Sequence, residues 1–138
     1  MQKHHQFRLI TLLFFVLAHV AHAQDFAVGA YSPKPGPQQA PLGQVELSKK
    51  EGNYYLRFQM AGQWQDVGLM KPMTDVELKG ALGLDPSSVA ANGLSNGFVA
   101  FISITPKTKI RGHSIQSGIV LISPAFGPSG TAELEKKK

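Results

Sequence analysis

Gly43 to Met70 reads GQVELSKKEGNYYLRFQMAGQWQDVGLM. Three runs alternate apolar and polar residues, separated by two short turns that carry glycine, which is the pattern of an antiparallel three-stranded meander. A two-residue hairpin loop with Gly first suits a type II′ turn, whose twist matches the flanking strands. With Gly52-Asn53 as the first loop, Lys50 faces Tyr55, Leu47 faces Phe58 and Val45 faces Met60. With Gly62-Gln63 as the second, Met60 faces Gln65, Phe58 faces Val67 and Leu56 faces Leu69. Both registers place Leu56, Phe58 and Met60 on one face, beside Val45, Leu47, Val67 and Leu69. A slip of one residue would turn the whole set to solvent.

The opposite face then carries Glu46, Ser48, Lys50, Tyr55, Arg57, Gln59, Trp64, Asp66 and Met70, with Arg57 and Asp66 close enough across the second hairpin to pair. Tyr55, Trp64 and Met70 are large side chains on an otherwise polar surface. Either a second layer covers them, or they form a contact surface, since Trp, Tyr and Arg are enriched where binding energy concentrates.

Upstream, Lys3 and Arg8 precede an apolar run from Leu9 to Ala21, and Ala21-His22-Ala23 is a small-x-small cleavage site. This is the layout of a cleaved secretory signal over residues 1–23, too short in its apolar part to span a bilayer, which takes about 20 residues. The reading places the mature protein in the periplasm or outside the cell. No later segment is long and apolar enough to form a membrane span, and no Cys is present for acyl attachment. Cleavage removes two of the 14 basic side chains and none of the 9 acids, so the formal charge falls from +5 to +3. That modest excess, without a recognition motif, argues against a nucleic-acid partner. With no Cys, packing and not disulfides must hold the domain together.

Gln24 to Tyr31 suits a first strand. Residues 32–41 (SPKPGPQQAP) hold four prolines and read as an extended connector. After the meander, Thr74 and Glu77 have capping-box spacing, Met73 and Leu78 that of a hydrophobic staple, and Gly83 supplies a stop, so a helix is predicted over Asp75–Leu82. Asp85-Pro86 opens a second short helical turn, ending at Asn92-Gly93. Gly97 to Thr105 (GFVAFISIT) suits a strand buried on both faces, and Ile115 to Ile122 another, with Gly118 as a bulge or close approach. Residues 123–130 read as irregular and 131–138 as a charged flexible tail. The expectation is one mainly β domain over 24–130, an antiparallel barrel or sandwich of about five to seven strands with one or two short inserted helices.

Catalytic patterns are scarce. His113 is the one histidine beyond the signal segment. Gly112-His113-Ser114-Ile115-Gln116 matches four of five positions of a nucleophile elbow, but Gln116 stands where the turn needs Gly, and no later His could act as base. One His without Cys cannot make a zinc site, and no calcium loop, phosphate loop or dinucleotide fingerprint is present. The reading is therefore not an enzyme, with no metal and no cofactor. Lys107, Lys109, Arg111 and His113 alternate at period two, and on an extended segment would form a basic stripe. Such a stripe either protects an edge strand or faces an acidic partner. The candidate binding residues are thus Tyr55, Arg57 and Trp64 on the meander, and Lys107, Lys109, Arg111 and His113 on the stripe. The partner expected is another protein, with an anionic polysaccharide as the alternative. The functional expectation is an exported binding protein, of the inhibitor or immunity type against an exported hydrolase or toxin. The alternative is a structural or accessory component of a bacterial envelope assembly.

Overall fold

A computed structural model describes residues 26–35, 42–127 and 129–138. The expected signal segment and residues 36–41 of the proline-rich stretch lie outside them. Ten strands run in chain order: β1 (Gly29–Pro33), β2 (Leu42–Lys50), β3 (Asn53–Met60), β4 (Gln63–Pro72), β5 (Asn92–Ser95), β6 (Ala100–Ser103), β7 (Thr108–Ile110), β8 (His113–Ile115), β9 (Ile119–Ile122) and β10 (Thr131–Lys136). Eight of them close an antiparallel barrel in the order β1-β10-β9-β6-β5-β4-β3-β2, while β7 and β8 pair as a separate hairpin. The fold is mainly β, as expected, and the barrel has one strand more than the upper end of the expected range. Among the described residues there is one α-helix, α1 (Asp75–Leu82), after β4. Among the described residues, no helix is long and apolar enough to cross a membrane.

The meander forms, but its turns are of the other primed type. Glu51 (φ 53°) and Gly52 (φ 81°) make the first loop, and Ala61 (φ 50°) and Gly62 (φ 81°) the second. Both are left-handed at both central positions, which is the type I′ geometry. Glycine is thus second in each loop, not first. Moving a loop back by one residue shifts the register by two: Leu47 faces Leu56, Val45 faces Phe58 and Phe58 faces Gln65. A shift of two keeps every side chain on its face, so the predicted inward set survives the wrong turn over most of its length.

The exception lies in β4. The β3–β4 register shifts between Leu56 and Arg57, so that Arg57 faces Asp66 but Leu56 faces Gly68. Gly68 has φ 82°, and its N–H is held by Asp66 Oδ1 at 3.0 Å. This bulge inserts one residue and inverts the faces beyond it. Met70, expected outside, is 2% exposed in the core, and Leu69, expected inside, is 40% exposed.

Eight strands enclose a lumen just wide enough for side chains. Tyr31, Leu47, Leu56, Phe58, Phe101, Leu121 and Leu134 fill it. Phe26 closes one end, edge-on to Tyr54 and Phe101, and Phe126 the other, edge-on to Phe58 at 5.7 Å. Glu46, Arg57 and Asp66 lie on the outside. An apolar interior with a charged exterior is the inverse of a membrane-spanning barrel.

A second apolar cluster sits outside the wall. Ile102, Val120 and Ile122 of β6 and β9 are covered by Leu78 and Leu82 of α1 and by Ile110 and Ile115 of the β7–β8 hairpin. This double covering explains why the run around Ala100–Ser103 is apolar on both faces. Helix α1 has the predicted bounds and a complete capping box: Glu77 N–H donates to Thr74 Oγ1 at 3.2 Å, and Thr74 N–H donates to Glu77 Oε1 at 3.2 Å.

Four other expectations are corrected. The first strand begins at Gly29 and takes in Ser32 and Pro33 of the presumed connector. Pro86–Val89 is a single 3₁₀ turn, and Asn92-Gly93 opens β5 where a helix end was expected. A Cβ on Gly93 would lie 2.5 Å from Met73 Sδ and 3.1 Å from Leu78 Cδ2, so this glycine lets the helix approach the sheet. The single strand expected over 115–122 is broken at Gly118 into β8 and β9. The supposed tail is β10, paired with both β1 and β9, with Leu134 fully buried.

Candidate functional site

The outer face of β2, β3 and β4 carries the three meander candidates, and no second layer covers them among the described residues. Glu46 stands directly opposite Arg57, and Trp64 is diagonal to it, being opposite Gln59. Side chains in these relations touch on one face of a sheet. Arg57 donates from Nε to Glu46 Oε1 at 3.2 Å and from Nη2 to Glu46 Oε2 at 3.1 Å. Its guanidinium also lies over the Trp64 ring, 4.2 Å from the centroid. The expected Arg57–Asp66 pair does not form, because Asp66 is engaged in closing the bulge.

The result is a planar cation held between a carboxylate and an indole. Arg suits this position because its rigid fork matches a carboxylate and its plane stacks on a ring. Trp64 remains 40% exposed, and Tyr55 is half-buried on the same face, between Ser48 and Leu69. Exposed Leu69 joins the patch only because of the bulge. Alternation read straight through Gly68 hides it, and the Asp66-x-Gly68 spacing is the one local hint.

The basic candidates are not lined up on one strand. Arg111 (φ 49°) and Gly112 (φ 83°) form a type I′ turn between β7 and β8, which folds the stripe into a hairpin. Lys109 faces Ser114 across it, and both are exposed. His113 is exposed on β8, and Lys107 precedes β7 with φ 71°. Arg111 turns back onto the fold: Nη1 donates to the Ser129 carbonyl at 2.8 Å and Nη2 to the Ala81 carbonyl at 3.1 Å. It thereby braces the last turn of α1 against the loop before β10. Ser114 Oγ accepts a hydrogen bond from Gln116 Nε2 at 2.7 Å, an arrangement local to the hairpin.

Among the described residues, no group of three or more His, Cys, Asp or Glu side chains is placed to hold a metal ion. Among the described residues, two ionisable groups are shifted by their surroundings. Burial raises the Tyr31 phenol above its ordinary range. Asp85, which caps the 3₁₀ turn, is held below the usual carboxylate range, first by the Ser87 hydroxyl and then by the Ser87 N–H. Both have structural causes and lie away from the meander face. Compared with known proteins, the chain matches no family model, no curated protein and no solved structure.

Proposed function

We propose that this protein is an exported, non-catalytic binding module that docks a partner protein on the outer face of β2–β4. The observation that carries the reading is the exposed Trp64 with Arg57 fixed against it by Glu46. An aromatic anchor beside an immobilised Arg loses little side-chain freedom on binding, which is how a small surface concentrates affinity. The partner best matching an exported protein of this size is a hydrolase or toxin that it inhibits or neutralises. Tyr55 and Leu69 extend the apolar part of the contact, and Asp66 and Gln59 its polar rim.

The test is capture of a partner by the mature protein, followed by affinity measurement on Trp64→Ala and Lys109→Ala at low and high salt. A hot-spot truncation costs about 2 kcal/mol or more, or roughly 30-fold in Kd. The expected result is such a loss for Trp64→Ala, little change for Lys109→Ala, and little dependence on salt. Salt-sensitive binding that tracks Lys109 would move the interface to the β7–β8 hairpin. Export is checked in the same preparation by N-terminal sequencing, with Gln24 expected first.

A second reading has its own observation. The β4–β5 pairing is confined to Lys71–Ser95 and Pro72–Leu94, so β4 runs on from Gln63 to Leu69 with no strand on its far side among the described residues. Such an edge accepts an added strand, as in an envelope assembly. In that case Trp64→Ala would leave assembly intact, because an added strand is held by backbone hydrogen bonds.

A further inference from the structure

We propose that the open end of the barrel closed by Phe26 is a binding site for a free, monomeric amphiphile with an apolar body and one anionic head. A cleft of about 460 Å³ lies there, walled by Phe26, Met70 and Met73 and rimmed by Lys49, Lys71 and Asn92. Its size falls in the range of small-molecule sites, about 300–1,000 Å³, and barrel mouths are a preferred place for them. The site adjoins the meander face at Leu69, which lines the cleft, whereas Arg57 and Trp64 lie outside its lining.

Three features select the ligand. The wall is mostly apolar and includes two Met side chains, which adapt to irregular apolar shapes. Among the described residues lining the cleft, the charged ones are Lys49 and Lys71 and none is acidic. The Lys49 ammonium lies 5.2 Å from the Tyr54 ring centroid, at the inner margin of the mouth. A ligand with an apolar tail toward Met70 and a carboxylate or sulfonate toward Lys71 is complementary to this arrangement. The lumen below is filled by Tyr31, Phe101 and the other core side chains, so only the mouth is available.

Phe26 also lines a second cleft of about 190 Å³ beside Tyr31 and Phe101, and Asn92 lines both. Phe26 therefore borders both clefts. It is half-buried, and its N–H donates to the Tyr54 hydroxyl at 3.0 Å.

The methionines give a direct readout. Past the signal segment the chain has Met60, Met70 and Met73, and Met60 lies at the opposite end of β3 from the mouth. Mature protein labelled with ¹³C at the methionine methyls is titrated with octanoate below its micelle concentration. Octanol and octyltrimethylammonium are titrated in parallel. Saturable shifts of Met70 and Met73, with Met60 unmoved, are expected for octanoate alone. Lys71→Glu should weaken octanoate at least tenfold, and Lys71→Gln by less, with the Met60 signal reporting an intact fold in each. Absence of saturation at Met70 and Met73 would overturn the proposal. So would octanol or the cationic amphiphile binding as tightly as octanoate, or octanoate binding unchanged in Lys71→Glu.

Discussion

Leu69 and Met70 are adjacent, similar in size and opposite in fate, so replacing each by Ala tests the bulge at Gly68 directly. Met70 is 2% exposed and Leu69 40%. Burying such a side chain and then truncating it costs about 2–5 kcal/mol. Met70 borders the cleft at the barrel mouth, which gives its neighbours room to relax, so Met70→Ala should sit near the low end, about 2–3 kcal/mol. Leu69→Ala removes surface that water already reaches and should stay within about 0.5 kcal/mol. With a urea slope of about 1–3 kcal/mol/M, the Met70 variant loses about 1 M or more of midpoint and the Leu69 variant a few tenths. Urea unfolding followed by far-UV circular dichroism and by Trp64 fluorescence gives both midpoints, and coincident curves validate the two-state treatment. Equal shifts, or a larger one for Leu69→Ala, would refute the bulged register and restore uninterrupted alternation along β4.

The same assay separates Phe58→Ala, expected to cost about 3–5 kcal/mol because its ring packs on Phe126, from Gln59→Ala, expected to be nearly neutral. Arg111→Ala should cost about 1 kcal/mol through loss of two carbonyl contacts; Arg111→Lys should not restore it, because one ammonium cannot span both acceptors. Truncation after Gly130 removes β10 and leaves β1 and β9 without their shared neighbour, so the truncated chain should fail to give a cooperative unfolding transition. Asp85 contributes stability above the ordinary carboxylate range, and this is lost as pH falls through its lowered folded value; Asp85→Asn should therefore reduce the acid-side slope of stability against pH.

Much of the fold was legible because its signals are local. The Thr74–Glu77 capping box and Gly83 place α1 to the residue, since a helix end is specified within four positions. The inward face of β2 and β3 was legible because alternation has period two, so an error of two in register leaves it unchanged. What alternation cannot show is an inserted residue. Gly68 interrupts β4 without altering its composition, and every face assignment after it inverts. Strands β5 and β10 were missed for a different reason. Asn92–Ser95 carries one large apolar side chain and Thr131–Lys136 one as well, Leu94 and Leu134, both fully buried. The strand character of β10 comes from Gly29–Pro33 at the other end of the barrel sequence, and that of β5 from being held between Lys71-Pro72 of β4 and the following strand Ala100–Ser103. The basic residues misled because spacing along an extended chain assumes that the chain stays extended, and Arg111-Gly112 is a turn.

The layering of the molecule also bears on where binding belongs. Both insertions between barrel strands, α1 between β4 and β5 and the β7–β8 hairpin between β6 and β9, fold over the same outer wall. There they bury Ile102, Val120 and Ile122, side chains that water would otherwise meet. The wall made by β2, β3 and β4 has no such cover and is written in polar and aromatic residues. The Glu46–Arg57 pair on it is open to solvent, with side chains 38% and 47% exposed, and exposed ion pairs contribute about 0–1 kcal/mol to stability. Trp64 adds little core burial at 40% exposure. Three residues that add so little burial, yet hold one another in a defined arrangement, are the ground for the proposal that this face, and not the covered wall, meets a partner.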